Sequence, residues 1–337
     1  MDPRGLAVSF QDVVDAAKRI EAYVHRTPVL TCKSLDRLYG ARLFFKCENF
    51  QKIGAFKIRG ATNAVFSLHE EQARRGVATH SSGNHAAALA QAARWRGIPC
   101  YVVMPESAPQ VKKRAVEGYG ATITYCHPTL EARERALGEV VERTGAFFIP
   151  PYDHPLVIAG QGTAALELWE EVKELDAIVV PVGGGGLISG TAIALSSIAP
   201  GVRILGGEPE RADDAIRSLK LGRIVRPENP DTIADGLRTS LGEFTFPIIQ
   251  RLVHAIYPVS EKSIVRAMRD IWERMKIVVE PSAAVALAAV SEAGGELQGK
   301  RIGVILSGGN VDLDRLPFGI SLNERGPWGL VDGSSRG

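Results

Sequence analysis

The sequence predicts an α/β protein built on two open, twisted, parallel-type sheets with flanking helices. Three observations carry this expectation: short β-rich runs alternate with longer amphipathic runs, glycine clusters follow apolar runs, and the alternation comes as two separate series. In the first series CYVVMP, from Cys100 to Pro105, reads as a buried strand. In the following APQVKKRAVEGYG, Val111, Ala115 and Val116 share one helical face, ended by Gly118 or Gly120. ATITYC is the next strand. TLEARERALGEVVERTG then sets Leu130, Ala136, Leu137 and Val140 at roughly helical spacing with Gly145 as the stop, and AFFIPPY closes the unit. The second series opens with AIVVPV (Ala177 to Val182). It runs through a helix from about Leu187, the strand RILGGEP, helices near Arg211 and Ser260, and the strand RIGVIL. Each β-α-β step implies a right-handed crossover and parallel pairing.

No linker rich in Gly, Pro or Ser divides the two series, so a small domain inserted in a large one is expected. The large domain is expected to comprise residues 1–77 and 151–325, the small domain residues 78–150, and residues 326–337 a weakly periodic tail. A chain of 337 residues, 45% of them hydrophobic, can bury a substantial core. Its formal charge of +2 arises from 40 basic and 38 acidic side chains mixed along the chain. That balance excludes an electrostatic case for nucleic acid or an anionic membrane and leaves a small anionic ligand open. Cys32, Cys47, Cys100 and Cys126 are scattered, with no CxxC pair and no histidines at metal-ligand spacing, so free thiols in a reducing compartment are expected. The first residues, MDPRGLAVSFQDVV, lack the apolar stretch of a signal peptide, and no run of about 18 apolar residues occurs, so a cytoplasmic location is expected.

VVPVGGGGLISG sets Gly183, Gly184, Gly185 and Gly186 between an apolar strand and a helix opening at Leu187. Glycines can turn sharply and aim successive N–H groups at one point, and the helix adds its positive dipole end: a phosphate cradle. No GK[ST] follows, which excludes a Walker loop. A dinucleotide fingerprint would need its third glycine where Ile188 or Ser189 stands, although Glu208 lies near the place of its acidic residue, about 20 residues on. THSSGNHAAALAQAARWRG brings Ser81, Ser82, Gly83 and Asn84 to another helix N-terminus, suited to a substrate carboxylate; capping alone explains one such residue. His85, with no acidic partner in the sequence, reads as structural support. VILSGGNVDL runs a strand into Ser307, Gly308, Gly309 and Asn310 at the carboxyl edge of the sheet, where open α/β folds bind ligands. Beside these loops, NFQKIGAFKIRGATN (Asn49 to Asn63) adds lysines, and the set suggests a cofactor with a phosphate and a ring.

In order, FFKCENFQKIGAFKIRGA, SSGNHAAALA, IAGQGTAALEL, VVPVGGGGLISG, EPERADD, ERMKIVVEPSAA and VILSGGNVDL resemble the motifs of the fold-type II pyridoxal-phosphate enzymes. The similarity runs from about His25 to Asp312, and within that family it is to the serine/threonine dehydratase and serine racemase group. The resemblance implies pyridoxal 5′-phosphate as cofactor and makes Lys57 the lysine that bonds it, a role that Lys52 and Arg59 lack. An amine forms an imine only when unprotonated, so this lysine needs a depressed pKa, which apolar neighbours such as Phe56 supply by desolvation. The same match assigns Gly183, Gly184, Gly185 and Gly186, with Leu187, to the phosphate, Asn84 to the 3′ oxygen of the ring and Ser307 to its nitrogen. A serine, unlike an aspartate, does not hold that nitrogen protonated, so the ring is a weaker electron sink. Loss of the Cα proton coupled to departure of a β-hydroxyl then becomes the easier path, toward a 2-oxo acid and ammonia.

Ser82 matches the racemase serine opposite the lysine, so Lys57 and Ser82 together would serve both faces of the substrate for D/L interconversion. Ser81, Ser82 and Gly83 equally suit the substrate carboxylate. Glu208, the carbonyl of Ala212 and Asp214 follow the family's divalent-cation site, whose hard oxygen ligands suit Mg²⁺, Mn²⁺ or Ca²⁺. An acidic helix start is the other reading of Asp213 and Asp214. Glu280 either faces the ring or opens a helix before Pro281. Ala55 stands where many relatives carry serine, a form similar to some 3-hydroxyaspartate dehydratases; a dicarboxylate would need a donor such as Arg133, which otherwise reads as a solvated helix face. The expected activity is an ammonia-lyase on serine, threonine or 3-hydroxyaspartate, with racemase activity besides, in a homodimer without a regulatory domain for isoleucine feedback. The alternatives are a β-replacement synthase of the cysteine synthase type, which the GAFK and SGNH strings fit less well, and an NAD- or nucleotide-binding protein.

Overall fold

A computed structural model describes residues 5–318 apart from Ser82, Pro109, Glu228 and Asn229, so the expected tail lies outside the described residues. Its strands are β1 (Val29–Leu30), β2 (Arg42–Cys47), β3 (Val77–His80), β4 (Cys100–Pro105), β5 (Thr122–Cys126), β6 (Phe147–Phe148), β7 (Ala177–Pro181), β8 (Arg203–Pro209), β9 (Ala255–Val259) and β10 (Arg301–Leu306). The helices are α1 (Phe10–Ile20), α2 (Lys33–Tyr39), α3 (Lys57–Phe66), α4 (Glu70–Arg75), α5 (Asn84–Arg96), α6 (Gln110–Gly118), α7 (Leu130–Thr144), α8 (Pro155–Glu171), α9 (Gly186–Ile198), α10 (Asp214–Leu221), α11 (Thr245–Leu252), α12 (Glu261–Met275) and α13 (Pro281–Glu292).

The strands make two sheets, ordered β1-β2-β10-β7-β8-β9 and β5-β4-β3-β6. Every pairing is parallel except that of β1 with β2. Helices cover both faces of each sheet, so β7 (AIVVP) is apolar and buried throughout instead of alternating. One face of the larger sheet carries α2, α12 and α13 through Leu35, Ile264, Met268 and Val285; the other carries α1, α8, α9 and α11 through Val13, Ile158, Ile188 and Ile249. In α12, Ile264, Ala267, Met268 and Ile271 recur at helical spacing, and the Ser260 hydroxyl caps its start. The smaller sheet packs α3 and α5 on one side (Ile58, Ala61, Leu89, Val102) and α7 on the other (Leu137, Val140, Val103). Helices α3 and α4, which precede residue 78, thus contribute to the small-sheet cluster.

Most of the expected elements stand where the periodicity put them: α7 ends at Gly145, with φ 67°, and α9 opens at Gly186. Two differ. The strand expected over AFFIPPY shrinks to Phe147–Phe148, because Pro150 and Pro151 have no N–H to donate to a ladder. The helix expected near Arg211 begins a little later, as α10 at Asp214, after a single tight turn over Glu210–Ala212. All four cysteines are free thiols, three of them buried. No helix among the described residues is long and apolar enough to cross a membrane.

The two halves meet along a stack of α3, α8 and α9. A Cβ on Gly160 would lie 2.6 Å from the Cα of Gly60 and 2.7 Å from the Arg59 carbonyl oxygen, so the α3–α8 crossing needs bare backbone on both sides. Gly160→Ala should therefore destabilise the protein by about 1–3 kcal/mol. By contrast Gly138, exposed within α7, has nothing within 4 Å of where an added methyl would stand, and Gly138→Ala should stabilise by roughly 0.5–1 kcal/mol. Urea unfolding of the two variants checks this; a Gly160→Ala protein as stable as the parent would refute the crossing.

Candidate active site

Because β2, β7, β8 and β10 are parallel, their carboxyl ends share one edge, and the strand ends and segments that follow them carry Lys57, the Gly183–Gly186 string, Glu208 and Ser307. The lysine loop is tied to the SGGN loop by backbone: Ala55 bridges Gly308, Phe56 N–H donates to the Ser307 carbonyl (3.0 Å) and Gly309 N–H to that of Gly54 (2.9 Å). Ile53 sits at φ 60°, an uncommon conformation for a β-branched residue, and its carbonyl accepts from Asn310 Nδ2 at 2.7 Å. Lys57 then opens α3.

The three basic residues of the loop have three fates. Lys57 is half-buried; its Nζ donates to the Pro151 carbonyl at 2.6 Å and lies 5.1 Å from the centre of the Phe56 ring. Burial lowers its pKa to about 8, against an opposing pull from the Glu280 charge. Lys52 instead sits 5.2 Å over the Trp95 ring. Arg59 is fully buried and forks onto two carboxylates: Nε and Nη2 to Glu48 (2.7 and 2.8 Å), Nη1 and Nη2 to Glu167 (2.6 and 2.8 Å). Lys46 completes a neutral quartet, donating to Glu167 and to the Thr27 carbonyl, both at 2.6 Å.

At the start of α5, Asn84 Nδ2 donates to both Glu280 oxygens (2.9 and 3.1 Å), and its Oδ1 accepts from Asn310 Nδ2 (2.9 Å). Glu280 thus occupies the helix-start position of the second reading, at the N-cap of α13, while its carboxylate turns toward the loops. Ser81 Oγ accepts from Gly83 N–H (3.3 Å), and Ser82 lies outside the described residues. His85 donates from Nε2 to the Ile149 carbonyl (3.0 Å); burial, then the Lys57 charge, press its pKa down to about 3, so it is neutral. Ser307 is buried at the end of β10. Arg133, on α7, is close enough for its charge to add to burial in lowering His80, at the end of β3.

Gly183 to Gly186 are all buried, with Gly185 at φ 84° as the N-cap of α9 and the Gly184 carbonyl accepting from Thr245 Oγ1 at 2.9 Å. The backbone amides there fit a phosphate. Further along the edge, Glu208 accepts from the N–H groups of Ala215 (2.7 Å) and Ile216 (3.0 Å). Burial and then the Asp214 charge raise its pKa well above the carboxylate range. Both Asp214 oxygens are buried without a hydrogen bond of standard geometry, and burial lifts this carboxyl to about 7. Ala212 is buried beside them in sequence. Among the described residues no group of three or more His, Cys, Asp or Glu gathers as a metal site; the expected set has two carboxylates and a carbonyl.

Sequence reasoning passed over Pro151, Tyr152 and the partnership of Glu280 with Asn84. The PPYDH string held the only signal for the first two: a rigid dipeptide at the end of a strand.

The chain matches the family model described as pyridoxal-phosphate dependent enzyme over residues 20–308. It is 53% identical over 310 residues to the β-hydroxyaspartate dehydratase of Paracoccus denitrificans (strain Pd 1222), covering 92% of this chain and 98% of that protein. To the L-threo-3-hydroxyaspartate ammonia-lyase of Saccharomyces cerevisiae (strain ATCC 204508 / S288c) it is 50% identical over 320 residues, covering 95% and 98%. The crystal structure of serine racemase from Dictyostelium discoideum superposes with a TM-score of 0.87 at 51% identity, over 91% of this chain and 100% of that one. With the lysine, the glycine string and the SGGN loop on one sheet edge, the chain belongs to the pyridoxal-phosphate-dependent enzymes of fold type II, in the serine/threonine dehydratase and serine racemase group.

Proposed function

We propose that this protein is a pyridoxal-phosphate-dependent ammonia-lyase that converts a β-hydroxy amino acid, 3-hydroxyaspartate, serine or threonine, into a 2-oxo acid and ammonia. One observation carries the reading: a half-buried lysine, its pKa lowered by desolvation to about 8, sits where the loops of both sheets converge. The two relatives named for hydroxyaspartate support that member of the substrate class. The dinucleotide alternative falls with family membership.

Bound here, pyridoxal phosphate supplies a carbonyl carbon that bonds amines and a ring that draws electrons from the substrate Cα. The chain does the rest. The amides of Gly183 to Gly186, with Leu187 and the start of α9, would hold the phosphate, the Asn84 side chain would meet the ring oxygen, and the Ser307 hydroxyl would meet the ring nitrogen. Ser81, Ser82 and Gly83 hold the substrate carboxylate. Lys57 takes the Cα proton, the β-hydroxyl departs with a proton as water, and a second water releases the nitrogen as ammonia. Ser82, which matches the racemase serine in sequence, would with Lys57 add a racemase activity, which the 51% identity to a protein named serine racemase supports.

The reading extends to a divalent cation, Mg²⁺, Mn²⁺ or Ca²⁺, held by Glu208, the Ala212 carbonyl and Asp214. Asp214 supports it: a buried carboxylate without standard hydrogen bonds is costly unless it is protonated or meets a cation. A homodimer and a cytoplasmic location belong to the same proposal.

Apoprotein mixed with pyridoxal phosphate should develop a visible band that borohydride fixes on the peptide bearing Lys57, and Lys57→Ala should do neither; the holoprotein should form 2-oxo acid and ammonia without an added nucleophile, unlike a β-replacement synthase. The neutral amine is the reactive form, so the rate of cofactor capture should rise about tenfold per pH unit below 8 and level off above it. Glu280→Gln removes the charge that favours the ammonium, so the midpoint should move to lower pH. For the cation, Mg²⁺ or Mn²⁺ should raise the Tm of chelator-treated protein, and Asp214→Asn should abolish that gain; at 100 times Kd the gain corresponds to about 2.7 kcal/mol.

A further inference from the structure

Residues 149 to 154 carry the chain from the small sheet to α8, and they touch the site at both of its ends. Ile149 is fixed first, by its N–H on the Ala78 carbonyl (2.9 Å) and by His85 Nε2 on its own carbonyl (3.0 Å). Pro150 and Pro151 stiffen the chain beyond it. The Pro151 carbonyl accepts the Lys57 amine at 2.6 Å. Tyr152 then lays its ring on the glycine string: a Cβ on Gly184 would fall 2.3 Å from ring atom Cγ, and one on Gly186 3.0 Å from Tyr152 Cβ. The Tyr152 hydroxyl is held 2.9 Å from Thr239 Oγ1. Asp153 accepts the N–H groups of Glu243, Phe244 and Thr245 at 2.8, 2.9 and 3.1 Å, and the Thr245 hydroxyl donates onward to the Gly184 carbonyl. Three consecutive residues therefore hold the lysine amine at one end and Gly184 at the other, the latter by two separate routes.

A rigid aromatic ligand whose reactive carbon and phosphate lie a fixed distance apart can be gripped at both ends only if the two grips keep that spacing. We propose that Pro151, Tyr152 and Asp153 form the ruler that sets the spacing between Lys57 and the Gly183–Gly186 loop, with Tyr152 as a positioning residue. The inference rests on the cofactor reading above. It also gives Gly184 a reason of its own. That residue lies outside the positive-φ region, so the Tyr152 ring, and not backbone conformation, is what excludes a side chain there.

Titrating apoprotein with pyridoxal 5′-phosphate and separately with pyridoxal isolates the phosphate grip as the ratio of the two dissociation constants. Gly184→Ala should cut that ratio roughly 100-fold and Tyr152→Ala roughly tenfold. The double variant should bind pyridoxal 5′-phosphate roughly tenfold more tightly than Gly184→Ala alone, because the added methyl then has room. Tyr152→Phe keeps the ring and should stay within about threefold of the parent. If Gly184→Ala does not fold, Tyr152→Ala against Tyr152→Phe carries the same comparison. Equal weakness of Gly184→Ala and the double variant overturns the ruler, as does a Tyr152→Ala protein that loses pyridoxal and its phosphate alike. A parent protein that forms no adduct at Lys57 would sink the cofactor reading instead.

Discussion

The charged quartet of Lys46, Glu48, Arg59 and Glu167, buried except for the part-buried Glu167, fixes α3 against its neighbours, and the position of Lys57 follows from it. Burial alone would raise the Glu48 carboxyl, yet the charge and hydrogen bonds of Arg59 hold it below its ordinary value. Two cations and two anions cancel, so the cluster brings no net charge to the site nearby. Apolar side chains of the same volume could stabilise the junction about as well. They would lack direction. The guanidinium fork of Arg59 fits Glu48, at the end of β2, and Glu167, on α8, in one orientation, and so locks the rotation of α3 against both. Lys57, two residues earlier on the same helix, is aimed by the same lock.

Lys46 is buried and Lys57 half-buried, and the difference in their neighbours explains the difference in their uses. Lys46 meets a carboxylate at 2.6 Å. Lys57 meets a carbonyl and an aromatic ring, while the nearest charge that favours its ammonium, Glu280, is committed to Asn84. Desolvation therefore wins, and the amine reaches neutrality near pH 8. His85 belongs to this balance as well. Held neutral, it adds no competing positive charge, and its one donated hydrogen bond is spent on the segment that receives the lysine.

What could be read from the sequence was local. Buried parallel strands are short apolar runs, so CYVVMP, AIVVPV and RIGVIL declared themselves, as did the helices with a polar face. The strand β2 escaped as an element because RLFFKC merges into the lysine motif, and β9 because Pro258 interrupts AIYPV. Helices α8 and α13, apolar nearly all round, carry no amphipathic stripe to detect. For the site, the glycine string and Ser307 stood out because each follows directly on a strand, whereas Lys57, at the start of α3, was marked by the resemblance of its motif to the family's. Their partners were not: Glu280 and Asn84 are separated by 196 positions, and no spacing rule connects them.

The SGGN loop shows how such distant partners are made to agree. Asn310 Nδ2 can only donate and the Glu280 carboxylate, when ionised, can only accept, so together they dictate which end of the Asn84 amide faces which way. Asn84 stands on a helix of the small sheet, whereas Glu280 and Asn310 stand on the large one. Gly308 lets the carboxylate in, because a Cβ there would lie 2.6 Å from Glu280 Oε1. The two halves are consequently registered by side chains at the site as well as by helices behind it. A slip between them that leaves both cores intact would still turn the Asn84 amide away from its place, so ligand geometry and domain geometry are one constraint.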